Sequence, residues 1–374
     1  MKRVLGFCRP RLQRGPDKHQ HRTCPSPAWR LFSASKPAGR DKDGFCGDND
    51  KPQNQLRPEL TKVAKRRQQT RLGRALAWVS NAIFHLLIDA ARVIPYRARI
   101  PLWGWAVAHV LGWPFGLRRR AMLNLSLALP DIAPDARKRI ARDALDNLGR
   151  VMMETYSKTG FLNCVASSEP EGPGWQDFQD AVAAGRPIII FSAHFGNYNA
   201  VRSVLQQRGH EIGVLYRRFE NPHFERRHRA IQASFGLFFE RSRAGMAAML
   251  RHLNTGGTIA IVGDQHVWDG EILTFFGHPA ATSTTAARLA MKHDALLIPI
   301  YAIRRPDGLH FDVIFHAPIP HSDVDRMTQA LNDNLETQVR QYPGQWLWTH
   351  RRWKTEKPAK KLPSLETSPS AKAR

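Results

Sequence analysis

The 374-residue chain carries 56 Lys and Arg against 32 Asp and Glu, a formal net charge of +24, with 42% hydrophobic residues. That apolar content excludes a wholly disordered chain and allows one large or two modest domains around a sizeable core. The basic excess excludes an acidic solvating protein and points to an anionic partner, whether nucleic acid, a membrane surface or a phosphorylated substrate.

Residues 1–70 are rich in Arg, Lys, Pro, Gly, Asp and Gln, with almost no apolar periodicity, so a disordered basic extension is expected. They lack the continuous apolar run and small-residue cleavage site of a secretory signal. Residues 71–160 read as a helical, membrane-associating region. Leu72 to Ile94 forms a helix with Leu76, Val79, Ile83, Leu86, Leu87 and Ala90 on one stripe. Arg74, His85, Asp89 and Arg92 interrupt the clean run of about twenty apolar residues that a membrane span requires. Ile100 to Leu117 carries Trp103, Trp105 and Trp113 and is followed by Arg118, Arg119 and Arg120, the composition of a segment lying at headgroup depth. A helix follows to Pro130, and Pro134 opens another that runs to about Tyr156 with Ile140, Ala144, Leu148, Val151 and Met152 inward.

From 161 to 354 strands and helices alternate, predicting an α/β fold with a three-layer α/β/α sheet. Strands are expected at Ile188–Ser192, Ile212–Tyr216, Thr258–Val262, Leu296–Ile303 and His310–Phe315. Residues 355–374 form a polar tail expected to be disordered. Cys8, Cys24, Cys46 and Cys164 are widely spaced with no C-x-x-C pair, so the expectation is a reduced compartment, no disulfide framework and no metal. There is no nucleophile elbow, P-loop or dinucleotide fingerprint, and no cofactor is expected.

The chemistry centres on Ile188-Ile-Ile-Phe-Ser-Ala-His194-Phe-Gly-Asn-Tyr-Asn199, where an apolar strand ends in a histidine. Open α/β sheets place ligands beyond the carboxyl ends of their strands. An imidazole there can take a proton from a hydroxyl and return it to a leaving group, which suits acyl transfer. Gly196 and Asn197 beside it are expected to open a helix and expose backbone N–H donors. Arg217 and Arg241 follow strand positions where guanidinium groups suit phosphate.

This segment resembles the H-x-x-x-x-D/E motif of the lysophospholipid acyltransferase family in its lipid A biosynthesis branch. It matches S-A-H-F-G-N through Asn197, has Tyr198 for a Trp, and places Asn199 where the family has an acid. The resemblance continues in order through Tyr216-Arg217 with Asn221-Pro222, Arg241 with Gly245, Gly263-Asp264-Gln265, Phe275 to Thr282, and Gln345 to Trp353, covering roughly 72–354. It implies a membrane-associated acyltransferase at the cytoplasmic face of the inner membrane. The implied reaction takes a fatty acyl group from acyl-carrier protein or acyl-CoA to a hydroxyl of a lipid A precursor. In the implied site His194 is the general base, with Asn197, Arg217, Arg241 and Gln265 binding substrate. Another lysophospholipid or glycolipid acceptor is the alternative.

Asn199 leaves three outcomes open. Another carboxylate substitutes, Asp264 first and Glu271 second; or the enzyme is slow; or the chain is a non-catalytic lipid-binding homologue. The Trp346, Trp348, Trp353 and Arg351-Arg352 cluster has the composition of a membrane interface for anionic headgroups. No nucleic-acid module is recognisable, so no nucleic-acid partner is expected.

Overall fold

The computed structural model describes residues 71–216, 218–219 and 221–354. The segments 1–70 and 355–374, expected to be disordered, lie outside the described residues, as does Arg217.

Four helices come first: α1 (Arg71–Ala91), α2 (Tyr96–Ala106), which continues as a π-helical turn over Val107–Leu111, α3 (Leu117–Ala128) and α4 (Pro134–Thr155). Then follow α5 (Lys158–Val165), β1 (Pro170–Glu171), α6 (Trp175–Ala183), β2 (Ile188–Ser192), α7 (Tyr198–Gln207), β3 (Ile212–Tyr216), α8 (Pro222–Ser234) and β4 (Phe238–Glu240). The chain continues through α9 (Arg243–Asn254), β5 (Thr258–Val262), β6 (Glu271–Phe275), β7 (His278–Thr282), α10 (Thr285–His293), β8 (Leu296–Arg304), β9 (Phe311–Phe315) and α11 (Val324–Gln341).

The main sheet has the order β1-β9-β8-β2-β5-β3-β4. Strands β8, β2, β5, β3 and β4 run parallel, and β9 is antiparallel to β8. Central parallel strands are covered on both faces and therefore read as unbroken apolar runs. Every residue of β2 and of β8 is buried. Successive side chains of β2 alternate between two cores. Ile189 and Phe191 pack with residues of α3, α4, α9, α10 and α11, whereas Ile188 and Ile190 pack with α5, α6 and α7. The sheet is thus the middle of three layers, and α3 and α4 share its core through Ala121, Leu125, Ala128, Ala141 and Ala144.

Two readings change in the helical region. The stripe of Val79, Ile83, Leu86 and Leu87 on α1 lies on the exposed face, while Phe84, Ile88 and Ala91 turn inward. On α4 the buried positions are Ala141, Ala144, Leu145, Asn147, Gly149, Met153, Glu154 and Thr155, a face rotated from the expected one. The cause is close helix packing, since a Cβ on Gly149 would lie 2.9 Å from Gly104 Cα of α2. No helix among the described residues is long and apolar enough to cross a membrane. Trp78, Trp105, Trp113 and Phe115 are nevertheless each more than half exposed.

The segment Phe275 to Thr282 belongs to an antiparallel hairpin, β6–β7. Phe276 and Gly277 both have positive φ (53° and 73°), the backbone of a two-residue hairpin turn matched to strand twist. The C-terminal aromatic cluster is not an interfacial surface. Trp346 and Trp348 are 2% and 0% exposed and pack with Phe275, Phe276 and Trp353. Aromatic area of this size is stabilised most by full burial. Arg352, also 0% exposed, donates to Ala281 O and Thr282 Oγ1 and lies over the Phe275 ring. Arg352→Leu strands both acceptors and should cost about 2–4 kcal/mol in chemical denaturation, without changing the sheet's circular dichroism.

Candidate active site

Register builds the site. Ser192 of β2 pairs with Val262 of β5, so two residues further along each strand His194 and Asp264 emerge side by side. His194 Nδ1 lies 2.8 Å from Asp264 Oδ1. Asp264 Oδ2 accepts from the His194 backbone N–H at 3.1 Å and from Trp346 Nε1–H at 3.0 Å. The carboxylate is nearly sealed and the imidazole partly open, with side chains 2% and 28% exposed. Burial pushes the Asp264 carboxyl up, but the charge of His194 and the hydrogen bonds from His194 and Trp346 outweigh it, and the net direction is down. An ionised Asp264 accepts from Nδ1–H, which leaves Nε2 with its lone pair on the open side. Gln265 Nε2 is 3.4 Å from that atom, and Tyr198 meets the ring edge-on at 5.3 Å.

The loop after β2 is held from beneath. Gly196 has φ 51°, and a Cβ there would fall 1.7 Å from Ala302 O of β8, so only glycine fits. Its N–H donates to Gln345 O, its carbonyl accepts from Asn147 Nδ2 of α4, and Phe195 forms a single antiparallel bridge with Trp346. Asn197 is the N-cap of α7: its Oδ1 accepts the Asn199 N–H at 3.0 Å, and its Nδ2 donates to Glu154 Oε2 at 2.7 Å. Glu154 in turn takes both terminal nitrogens of Arg304, whose Nε donates to Asn147 Oδ1. Glu154 and Arg304 are 0% and 6% exposed at their side chains.

The sequence-read residues therefore separate. His194, Asp264 and Gln265 come together, and Asn197 serves as a buried cap beneath them. Asn199 is buried in the first turn of α7, makes no hydrogen bond to His194, and has no partner for its Nδ2. Glu271 begins β6 opposite Thr282, half exposed and 3.8 Å from Arg288, and so is not the partner of His194. Arg241 is exposed at the end of β4, three strands from β2 and hence about 14 Å away across the sheet. Among the described residues no group of three or more His, Cys, Asp or Glu side chains converges to hold a metal ion.

Trp346, His350, Gln345, Asn147, Glu154 and Arg304 were missed as site residues. Their signal was slight: Asn147 and Glu154 are seven apart on one helix, hence on one face, and both are polar. His350 Nε2 accepts the His266 backbone N–H at 2.9 Å, pinning the loop that carries Asp264 and Gln265. Burial is the main reason its pKa is pushed down to about 4, with His194, Arg352 and His266 adding repulsion and Asp264 opposing.

Two outcomes follow from these bonds. A histidine whose folded value lies below its ordinary 6.5 contributes stability that is full above that pH. The contribution is lost as pH falls from 6.5 toward about 4, so a His350→Gln variant should show a flatter decline of melting temperature over that window. Glu154→Gln leaves the Arg304 charge buried without its partner and should cost about 3–5 kcal/mol in urea unfolding.

A profile of the bacterial lipid A biosynthesis acyltransferases matches residues 63–355. The chain is 25% identical over 294 residues to the lipid A biosynthesis lauroyltransferase of Escherichia coli strain K12, covering 75% of this chain and 92% of that protein. It is 24% identical over 286 residues to a lipid A biosynthesis acyltransferase of Haemophilus influenzae, covering 69% and 86%. It is also 24% identical over 180 residues to the phosphatidylinositol mannoside acyltransferase of Mycolicibacterium smegmatis, covering 46% and 59%. With the profile spanning most of the sequence and the paired His194 and Asp264 at the strand ends, the chain belongs to the bacterial lipid A biosynthesis acyltransferase family.

Proposed function

We propose that the protein transfers a fatty acyl group from a thioester donor, acyl-carrier protein or acyl-CoA, to a hydroxyl of a lipid A precursor, with His194 as general base. The observation that carries this reading is the 2.8 Å bond between His194 Nδ1 and the buried Asp264 carboxylate. Nε2 takes the proton of the acceptor hydroxyl as its oxygen attacks the thioester carbonyl. The tetrahedral intermediate collapses with cleavage of the carbon–sulfur bond, and the imidazolium returns the proton to the leaving thiolate. Asp264 orients the ring and steadies its charge, the task that the amide of Asn199 is unable to perform.

The reaction is placed at a membrane surface, on the cytoplasmic face of the inner membrane. The exposed Trp78, Ile83, Leu86, Trp105, Trp113 and Phe115 support this, as does the charge of +24, which suits anionic lipid and an acidic carrier. Gln265 sits beside Nε2, where it would meet the reacting groups. Arg217, next after β3 in the sequence, and Arg241, exposed at the end of β4, are assigned to the anionic parts of the substrates. The likeness to a phosphatidylinositol mannoside acyltransferase keeps another glycolipid as the alternative acceptor.

The test is transfer of labelled acyl chains from both donors to a lipid A precursor, in detergent. His194→Ala should fall to background. Asp264→Asn should lose about 10³–10⁴-fold in turnover with little change in KM. Asn199→Asp should stay within about threefold of wild type, because the acid's position is already filled. Full activity in His194→Ala would end the general-base assignment, and a wild type that becomes active only as Asn199→Asp would mark the natural chain as non-catalytic.

A further inference from the structure

Between α1 and α8 lies a cleft of about 680 Å³, lined by Asn81, His85, Pro222, His223, Arg226 and Arg227. Its floor holds polar atoms that nothing in the fold satisfies. His85 is 9% exposed, and both its ring nitrogens are buried without a hydrogen-bond partner, as is Asn81 Oδ1. Next to it, Tyr156 OH and His228 Nδ1 are likewise buried and unpaired, within one aromatic stack in which His85 and His228 both lie parallel to Phe224. Buried polar groups are normally paired, and each one left alone costs about 1–3 kcal/mol, so such a concentration beside an open cleft marks a place where a ligand supplies the missing partners.

The rim fixes the ligand's charge. Arg227 is held by both oxygens of Asp89. Arg226 and His223 have no acidic partner among the described residues. Both stand in the first turns of α8, whose N-terminus adds a partial positive charge in the same direction. The position fixes the rest. Helix α8 leaves the carboxyl end of β3, the edge from which His194 and Asp264 emerge, and β3 is two places from β2, about 10 Å in the sheet. Along α1, Trp78, Ile83 and Leu86 are exposed next to the polar floor.

We infer that this cleft is the subsite for the phosphorylated headgroup of the acceptor amphiphile, an inference that rests on the acyl-transfer reading above only for calling that amphiphile the acceptor. Arg226 and His223 hold phosphate oxygens at the rim. His85 and Asn81 meet headgroup hydroxyls at the floor, His85 as one donor and one acceptor in its neutral form. The acyl chains lie against the outer side of α1.

Binding tests this without relying on turnover. The full chain is titrated with detergent micelles carrying phosphatidic acid or diacylglycerol, and inorganic phosphate is added as competitor. Wild type should prefer the phosphatidic acid micelles by about tenfold or more. Arg226→Gln with His223→Gln should remove about tenfold of that preference. His85→Phe, which keeps the ring stack and removes both nitrogens, should weaken binding by about threefold or more, with Asn81→Leu as a second floor variant should His85→Phe fail to fold. Competition by inorganic phosphate alone would identify the phosphate as the recognised part, whereas a need for the lipid-borne group would assign the headgroup as a whole; either supports the subsite. Wild-type binding in the folded floor variants would overturn it, reducing the cleft to a charged surface patch, and so would wild-type binding in the rim variant. His194→Ala should bind as wild type does, so loss of the catalytic reading and loss of this subsite are seen separately.

Discussion

One carboxylate organises this protein. Asp264 gathers three N–H donors, two from His194 and one from the Trp346 indole, and so joins the loops after β2 and β5 to the C-terminal segment. Burying a carboxylate costs several kcal/mol unless hydrogen bonds and an opposite charge compensate, and here the compensating groups are the working parts of the site. Remove the sheet register that sets Ser192 beside Val262 and none of these contacts can form.

Beneath the dyad, a second buried charge pair supports the first. Glu154 and Arg304 tie α4 to the end of β8, and through Asn147 and Asn197 they fix the backbone from Gly196 into α7. The region 71–160 is thus structural support for the loop that carries His194 as well as the carrier of the exposed aromatic residues. That dual role explains why the buried face of α4 mixes alanine and leucine with asparagine and glutamate.

Much of this was legible from residue order. The unbroken apolar runs of β2, β5 and β8 announced central parallel strands, and a histidine two residues beyond such a run marked the site. Asp264 was identifiable because it too follows a strand end by two residues. What the sequence withheld was tertiary. Trp346 and Arg352 have the composition of an interface yet are core, because their partners lie in the hairpin Phe275–Thr282, some 70 residues earlier. The outward stripe of α1 and the rotated face of α4 depend on which helix approaches which, and for α4 the close contact of Gly149 with Gly104 of α2 decides it.

The pairing of histidine and acid across two strands, rather than five residues apart on one turn, also sets the time at which the pair can form. Asp264 is 70 residues beyond His194, and Trp346 a further 82 beyond Asp264. Domains form as units while synthesis proceeds from the N-terminus. A chain still on the ribosome holds the histidine long before it holds the groups that orient it. Until the last of them emerges, the imidazole lacks the carboxylate and the indole that hold it in place, and the dyad does not yet exist.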